Sequence, residues 1–199
     1  LKVAVIGAGI SGIGAALLAK SRGHDTWVTD AQEIRPERKD ILNQHQIPFE
    51  EKGHSLERLL ASDLIVKSPG IANTSPLMMQ LTEAGKEVIG EIEWAYRNAD
   101  GRIIGITGSN GKTTVTGLCH HFLASAGIRA AKVGNVGEGF CDYLATGSAD
   151  WYVCELSSFQ LEDVDTFRPQ VAILLNITPD HLDRYGYSID RYAEAKMRI

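Results

Sequence analysis

The chain of 199 residues carries a net charge of −5, with 44% hydrophobic and 23% charged residues. That balance is ordinary for a globular protein of one large or two small domains, and its acidity argues against a general nucleic-acid binder, which needs a basic face. No apolar run approaches the roughly 20 residues of a membrane span. The apolar opening, residues 1–6, leads straight into glycines, as a strand does and a signal peptide does not. Cys119, Cys141 and Cys154 are odd in number and lack metal-ligand spacing, which fits a reducing cytoplasm and assigns them no chemistry.

Residues 2–6 read as a strand. Gly7-Ala8-Gly9-Ile10-Ser11-Gly12 follows, then a helical run through Ala15, Ala16, Leu17, Leu18 and Ala19 that Gly23 stops. Residues 26–30 read as a second strand ending in Asp30. A G-x-G-x-x-G between strand and helix, with an acid about 20 positions on, suits a βαβ unit that binds a phosphate-bearing ligand. The same glycines also serve close helix–strand packing, so the ligand stays open. Residues 32–60 are polar, with amphipathic stretches and a short strand near 47–49. Residues 63–67 form the next strand and end in Ser68-Pro69-Gly70. This turn lies where open α/β sheets bind ligands, although a turn of that composition needs no function. Ser75-Pro76 caps a helix with Gly85 behind it, and Met78 and Met79 read as core filler. A short strand at Val88-Ile89 and a helix over 91–98 complete a first unit, whose boundary falls between Gly90 and Gly101.

The second unit opens with the Ile-rich run 103–107, a buried strand. Gly108-Ser109-Asn110-Gly111-Lys112-Thr113-Thr114 then turns into a helix ending at Gly127. Backbone N–H groups and a helix dipole in such a loop hold a triphosphate, with Lys112 on its outer phosphates and the Thr113 hydroxyl on Mg²⁺. The loop is shorter than the standard G-x-x-x-x-G-K-[ST], which would put its first glycine at Ile106. His120 and His121, with no acid or cysteine at ligand spacing, read as surface or packing residues. A strand over 129–133 runs into Gly134-Asn135-Val136-Gly137. Another, 151–155, ends in Glu155 before Leu156-Ser157-Ser158-Phe159-Gln160. Glu155 suits a hard cation that bridges phosphates. Residues 171–176 read as a buried strand, followed by Thr178-Pro179-Asp180-His181-Leu182-Asp183-Arg184-Tyr185 and a helix over 189–199 containing Lys196. For His181 a structural role and a metal or phosphate role stay equally open. Alternating strands and helices predict an α/β fold with parallel sheets: a Rossmann-like domain over 1–92, then part of a P-loop-type α/β domain over 93–199.

Taken together, Gly-Ser-Asn-Gly-Lys-Thr-Thr, Gly-Asn-Val-Gly, Glu-Leu-Ser-Ser-Phe-Gln-Leu, Asn-Ile-Thr-Pro-Asp-His-Leu-Asp-Arg-Tyr and Tyr-Ala-Glu-Ala-Lys closely resemble the Mur ligase family. The resemblance spans the whole chain and is nearest to the members that add D-glutamate to UDP-N-acetylmuramoyl-L-alanine. It implies a UDP-sugar domain followed by the first part of the central ATPase domain, without the C-terminal domain that receives the amino acid. It also implies a monomer of peptidoglycan precursor synthesis, with ATP, Mg²⁺, UDP-N-acetylmuramoyl-L-alanine and D-glutamate as its small-molecule partners and no nucleic acid or membrane. By that likeness Ile10, Ser11, Asp30, Ser68, Pro69, Gly70 and Asn135 hold the UDP end, and Ser157, Gln160 and His181 lie near the muramoyl-alanine arm. Gly108, Ser109, Asn110, Gly111, Lys112, Thr113 and Thr114 hold ATP. Thr113 and Glu155 take one Mg²⁺, and His181 takes a second. Lys196 falls where the family carries a lysine carbamylated by CO₂, able as an anion to serve that second ion. Lys112, His181 and Lys196 are the implied catalytic residues, acting on an acyl phosphate formed from the L-alanine carboxylate.

Two other readings compete. A nicotinamide-dependent oxidoreductase explains the Gly7 turn and Asp30 but leaves the Lys112 loop and Glu155 idle. A non-catalytic sugar-nucleotide-binding module fits both loops without turnover.

Overall fold

The computed structural model describes residues 1–199 and contains two all-parallel sheets. In the first half of the chain, β1 (Lys2–Ile6), α1 (Ile10–Ser21), β2 (Asp25–Thr29), α2 (Pro36–Gln44), β3 (Phe49–Glu50), α3 (Leu56–Leu60), β4 (Leu64–Lys67), α4 (Pro76–Glu83) and β5 (Val88–Gly90) alternate. The strand order is β3-β2-β1-β4-β5. The chain moves outward from β1, returns to β4, and so leaves a crevice at the carboxyl ends of β1 and β4. The Gly7 turn and the turn at 68–70 both sit there. Gly12 belongs to this turn for a steric reason: a Cβ on it would stand 1.8 Å from the Gly7 carbonyl oxygen.

α5 (Glu91–Asn98) leads into the second sheet, formed by β6 (Arg102–Thr107), β7 (Ala130–Gly134), β8 (Trp151–Glu155) and β9 (Val171–Leu174) in the order β7-β8-β6-β9. α6 (Lys112–Ser125), α7 (Phe140–Thr146), α8 (Ser158–Leu161), a 3₁₀ turn (Leu182–Tyr185) and α9 (Ile189–Met197) connect or follow these strands. The core does not stop between the sheets. A single cluster of 31 buried residues joins Ala15, Ala16 and Ala19 of α1, Ile92 and Ala95 of α5, and Phe140 and Leu144 of α7 to the strand residues Val133 and Tyr152. Small residues on α1 let α7 come close: a Cβ on Gly14 would meet the Asp142 carboxylate at 2.7 Å.

Several local expectations shift. The polar stretch 32–60 contains α2 and α3, and its strand is Phe49–Glu50 instead of 47–49. β2 stops at Thr29, leaving Asp30 just beyond the strand, and α9 ends at Met197. α7 has no counterpart in the expected elements, because it gains its stability from packing on α1 and α5 more than from its seven residues. β9 is shorter than expected and is not buried. It forms an edge of the second sheet, with Val171 42% exposed. His120 bonds the Ala130 carbonyl at 3.2 Å, a packing role.

Candidate active site

The first-sheet end of the site is built on hydrogen bonds to its own turn. Asp30 Oδ2 accepts from the Ala8 N–H at 2.6 Å and Oδ1 from the Gln32 N–H at 2.8 Å. The Ser68 hydroxyl donates to the Gly7 carbonyl at 3.2 Å. Both residues therefore fasten the glycine turn while lining a cavity of about 570 Å³ with Gly7, Gly9 and Ile71. His54, absent from the sequence expectations, also lines it. The Thr29 hydroxyl lies 2.9 Å from His54 Nδ1 and 3.0 Å from the Gly53 carbonyl. The carbonyl can only accept, so it takes the hydroxyl proton and Nδ1–H donates to Thr29, leaving Nε2 an acceptor. Burial lowers the His54 pKa against the pull of Asp30 and Glu50, which favours this neutral form.

Between the sheets lies a cleft of about 290 Å³. Ile10, Ser11, Pro69 and Gly70 line one wall, and Asn135, Ser157 and Gln160 line the other. Ser157 and Gln160 form a capping box at the start of α8: the Gln160 N–H donates to Ser157 Oγ at 3.2 Å, and Gln160 Oε1 accepts from the Ser157 N–H at 3.0 Å. Glu91 also lines the cleft, at 3% exposure, and accepts from the Cys141 N–H at 3.1 Å. Desolvation raises its pKa to about 7, opposed by the bonds from Cys141.

A third cavity, about 150 Å³, opens where the second sheet's loops meet. Lys112, Asp180, His181, Tyr192 and Lys196 line it, and it shares Asn135, Ser157 and Phe159 with the cleft. The second and third cavities thus adjoin, and the first lies beside the second, lined by Gly9 and Ser68 where the second is lined by Ile10 and Pro69. Lys112 Nζ donates to the Gly108 and Ser109 carbonyls, each at 2.8 Å. Lys196, 2% exposed, donates to the same Gly108 carbonyl at 2.9 Å and stands 4.7 Å from the Tyr192 ring centre. Desolvation first, then repulsion from Lys112, lowers the Lys196 pKa to about 8, and Asp180 opposes the shift. Glu155 is 1% exposed; Oε1 accepts from Asn135 Nδ2 at 3.2 Å, and Oε2 has no partner.

The loop itself divides its labour. Ser109 Oγ exchanges bonds with Thr178, donating to its carbonyl and accepting from its N–H, both at 2.9 Å. The Asn110 N–H donates to Asn176 Oδ1 at 2.9 Å. These two side chains fasten the loop to the segment after β9, whereas the N–H groups of Gly111, Lys112, Thr113 and Thr114 donate no backbone hydrogen bond. Gly111 at φ +84° turns them outward at the start of α6, and Thr113 and Thr114 are exposed. The result is an anion cradle. His181 adopts φ +48°, is 59% exposed, packs its ring 5.3 Å from Phe159, and lies 3.7 Å from Asp180 Oδ2. No three His, Cys, Asp or Glu side chains cluster as metal ligands. The orphaned Glu155 oxygen is a hard donor of the kind that a Mg²⁺ ion takes beside phosphates and water.

Sequence reasoning missed Asp180 as a lining residue, together with Tyr192, Phe159, Glu91 and His54. Tyr192 was the most findable: it precedes Lys196 by four residues, so both occupy one face of α9.

Two parallel sheets whose carboxyl edges carry a glycine turn and a Lys-Thr anion cradle define an α/β protein with a candidate phosphate site. The chain belongs to the Mur ligase family: residues 1–90 match the MurD-like N-terminal domain of Mur ligases, and residues 106–199 match the Mur ligase middle domain. It is 48% identical over 198 residues to a UDP-N-acetylmuramoylalanine–D-glutamate ligase of Bacteroides fragilis, covering 100% of this chain and 45% of that protein. It is also 48% identical over 200 residues to the protein of that name from Cytophaga hutchinsonii, covering 100% of this chain and 44% of the relative. The chain thus spans less than half the length of these relatives. Among solved structures, its fold is similar to the UDP-N-acetylmuramate–alanine ligase of Thermotoga maritima (TM-score 0.62, 24% identity, 100% of this chain and 46% of that one). It is likewise similar to a UDP-N-acetylmuramate:L-alanyl-γ-D-glutamyl-meso-diaminopimelate ligase from Neisseria (TM-score 0.64, 18% identity, 99% and 67% covered).

Proposed function

We propose that this chain is the nucleotide-binding part of an ATP-dependent ligase that joins D-glutamate to UDP-N-acetylmuramoyl-L-alanine in peptidoglycan precursor synthesis. The observation that carries the reading is the succession of cavities, the first at the Gly7 turn, the second beginning at the adjoining residues Ile10 and Pro69, and the third sharing Asn135, Ser157 and Phe159 with the second and reaching Lys112 and Lys196. A long acceptor with a nucleotide at one end and a carboxylate at the other fits such a track. The sequence identity to the D-glutamate ligases supports the choice of acceptor.

On this reading residues 1–92 form the UDP-sugar domain and residues 93–199 the first part of the ATPase domain, in a cytoplasmic monomer. The Gly7 turn, Asp30 and Ser68 shape the nucleotide end; Ile10, Ser11, Pro69, Gly70 and Asn135 flank the diphosphate and sugar; Ser157, Gln160 and His181 flank the muramoyl-alanine arm. The N–H groups of Gly111 to Thr114, behind the turn made by Gly108, Ser109 and Asn110, receive the ATP phosphates. Lys112 leaves its two loop carbonyls for the outer phosphates and screens the repulsion between ATP and the acceptor carboxylate. Glu155 and Thr113 would hold a Mg²⁺ ion, which supplies charge neutralisation and in-line orientation when bound. The γ-phosphoryl group passes to the L-alanine carboxylate, and the D-glutamate amine displaces phosphate from that acyl phosphate. Lys196 as an ammonium repels a cation, so it and His181 would serve a second Mg²⁺ only with Lys196 carbamylated. Its lowered pKa favours that reaction, because the neutral amine is the nucleophile toward CO₂.

Calorimetric titration of the 199-residue protein with UDP, MgATP and NADH tests the reading. UDP and MgATP are expected to bind and NADH to fail. Tight NADH binding without UDP binding would overturn it in favour of the oxidoreductase. D-glutamate-dependent phosphate release is expected only from a longer chain that includes an amino-acid site.

A further inference from the structure

The turn that carries the nucleotide end belongs to the first sheet, whereas the α8 residues beside Lys112 belong to the second. Their separation along the acceptor has to be fixed for the carboxylate to arrive at the phosphoryl donor. One buried ion pair spans this gap. Lys67, the last residue of β4, is 2% exposed and donates to Asp163 Oδ2 at 2.5 Å; the Asp163 side chain is 4% exposed. The same ammonium donates to the Ile71 carbonyl at 2.9 Å, and Asp163 Oδ1 accepts from Asn73 Nδ2 at 2.8 Å. Asp163 therefore grips both ends of the 68–73 turn, one directly and one through Lys67. Its own carbonyl accepts from the Gly90 N–H at 3.2 Å, at a place so tight that a Cβ on Gly90 would stand 2.6 Å from Asp163 Cβ.

The neighbouring residue adds a second tie to the same turn. Arg184 Nη2 donates to the Pro69 carbonyl at 3.2 Å and to Glu162 Oε2 at 2.9 Å, and the Tyr185 hydroxyl donates to Glu162 Oε1 at 2.5 Å. Glu162 and Asp163 follow α8 directly, and Ser157, Ser158 and Phe159 at the other end of α8 line the Lys112 cavity. A buried ion pair is a poor device for stability alone, since packed apolar residues commonly do as well. Here every polar group of the pair lands on the turn or on its opposite partner, which is what alignment requires.

We infer that Lys67, Asp163 and Asn73 are positioning residues that hold the 68–73 turn in register with α8, so that an acceptor spanning both sheets is bound with its carboxylate end at Lys112. The inference rests on the proposed acceptor for its ligand, and on the geometry alone for the register. The function derived above uses none of these three side chains.

The test removes both charges together, Lys67→Met with Asp163→Asn, so that no unpaired charge is left in the interior and the variant folds. Two readouts are taken on the 199-residue protein. In hydrogen exchange, the amides of Ser68 and Ile71 are expected to exchange at least about tenfold faster than in wild type, with those of β6 unchanged. In calorimetry, affinity for UDP is expected to fall by less than about threefold, because of its proposed contacts only Asn135 lies on the second-sheet wall of the cleft. Affinity for UDP-N-acetylmuramoyl-L-alanine is expected to fall about tenfold, because its contacts on both walls need the turn and α8 in register. Unchanged exchange overturns the positioning role, as does an equal loss for both ligands. If wild type binds neither UDP compound, the acceptor reading fails, and the exchange result still decides whether the pair sets the register.

Discussion

Glu155 provides a test in which stability and binding should move in opposite directions. Its carboxylate is 1% exposed, one oxygen is satisfied by Asn135 at 3.2 Å, and the other has no partner. An unpaired buried polar group costs about 1–3 kcal/mol and a charged one more, so Glu155→Gln relieves on the order of 1 kcal/mol while keeping volume and one acceptor. For a chain of this length that corresponds to a rise in Tm of roughly 2–4 °C in ligand-free buffer. Wild type should gain from MgATP, about 2.7 kcal/mol at 100 times its Kd, and chelation by EDTA should remove much of that gain. The variant should show little EDTA-sensitive shift, because the hard-oxygen ligand is gone. Thermal melts of both proteins with ATP, MgATP, and MgATP plus EDTA measure all of this. A variant that melts below wild type without nucleotide, or one that keeps the EDTA-sensitive shift, refutes the reasoning.

Two further outcomes are expected. Lys112→Ala removes the MgATP shift in the same assay and leaves UDP affinity within about twofold, since Lys112 lies at the opposite end of the cavities from the Gly7 turn; loss of both affinities would refute the separation. Glu91 has a folded-state pKa raised from 4.5 to about 7, mainly by desolvation. Its stabilising protonated form is present below pH 4.5 and lost as pH rises through 7, a change of roughly 3 kcal/mol. Relative to wild type, Glu91→Gln should therefore become more stable as pH rises over that window, as denaturant melts at pH 4.5, 6 and 7.5 would reveal.

The parts of this protein that a sequence discloses are those whose meaning is local. Strand, glycine, lysine and threonine arrive in order at residues 103–114, so the cradle is legible without any knowledge of what packs around it. Glu155 is legible because it ends an apolar strand. The register between sheets is not: Lys67 and Asp163 stand 96 positions apart, and nothing in either segment announces the other. β9 looks like a core strand because its composition is apolar, but edge position depends on strand order, which no window of residues contains. Lys196 looks like any lysine until α9 brings its ammonium to the Gly108 carbonyl, just after β6. Its burial then follows from the fold, and its lowered pKa from the burial and from Lys112.

Those two lysines carry one last consequence. Lys112 and Lys196 both donate to the Gly108 carbonyl, so two ammoniums share a single acceptor in a site that Lys196 enters at 2% exposure. Their mutual repulsion, added to desolvation, is what leaves Lys196 near a pKa of about 8. A triphosphate seated on the loop draws Lys112 away from the carbonyl and places negative charge beside both amines. Each change favours the protonated form of Lys196 and raises its pKa. Near pH 8 the free site is then partly protonated and the occupied site more so, and binding takes up a fraction of a proton from solution. In CO₂-free solution, titrating MgATP in phosphate and in Tris, whose ionisation heats differ greatly, should give apparent enthalpies that differ in the sense of proton uptake. The difference should vanish in Lys196→Met and shrink by pH 6, where the amine is already charged. Equal enthalpies in the two buffers at pH 8, or a sign that means proton release, would show that the two amines do not share the ligand's field.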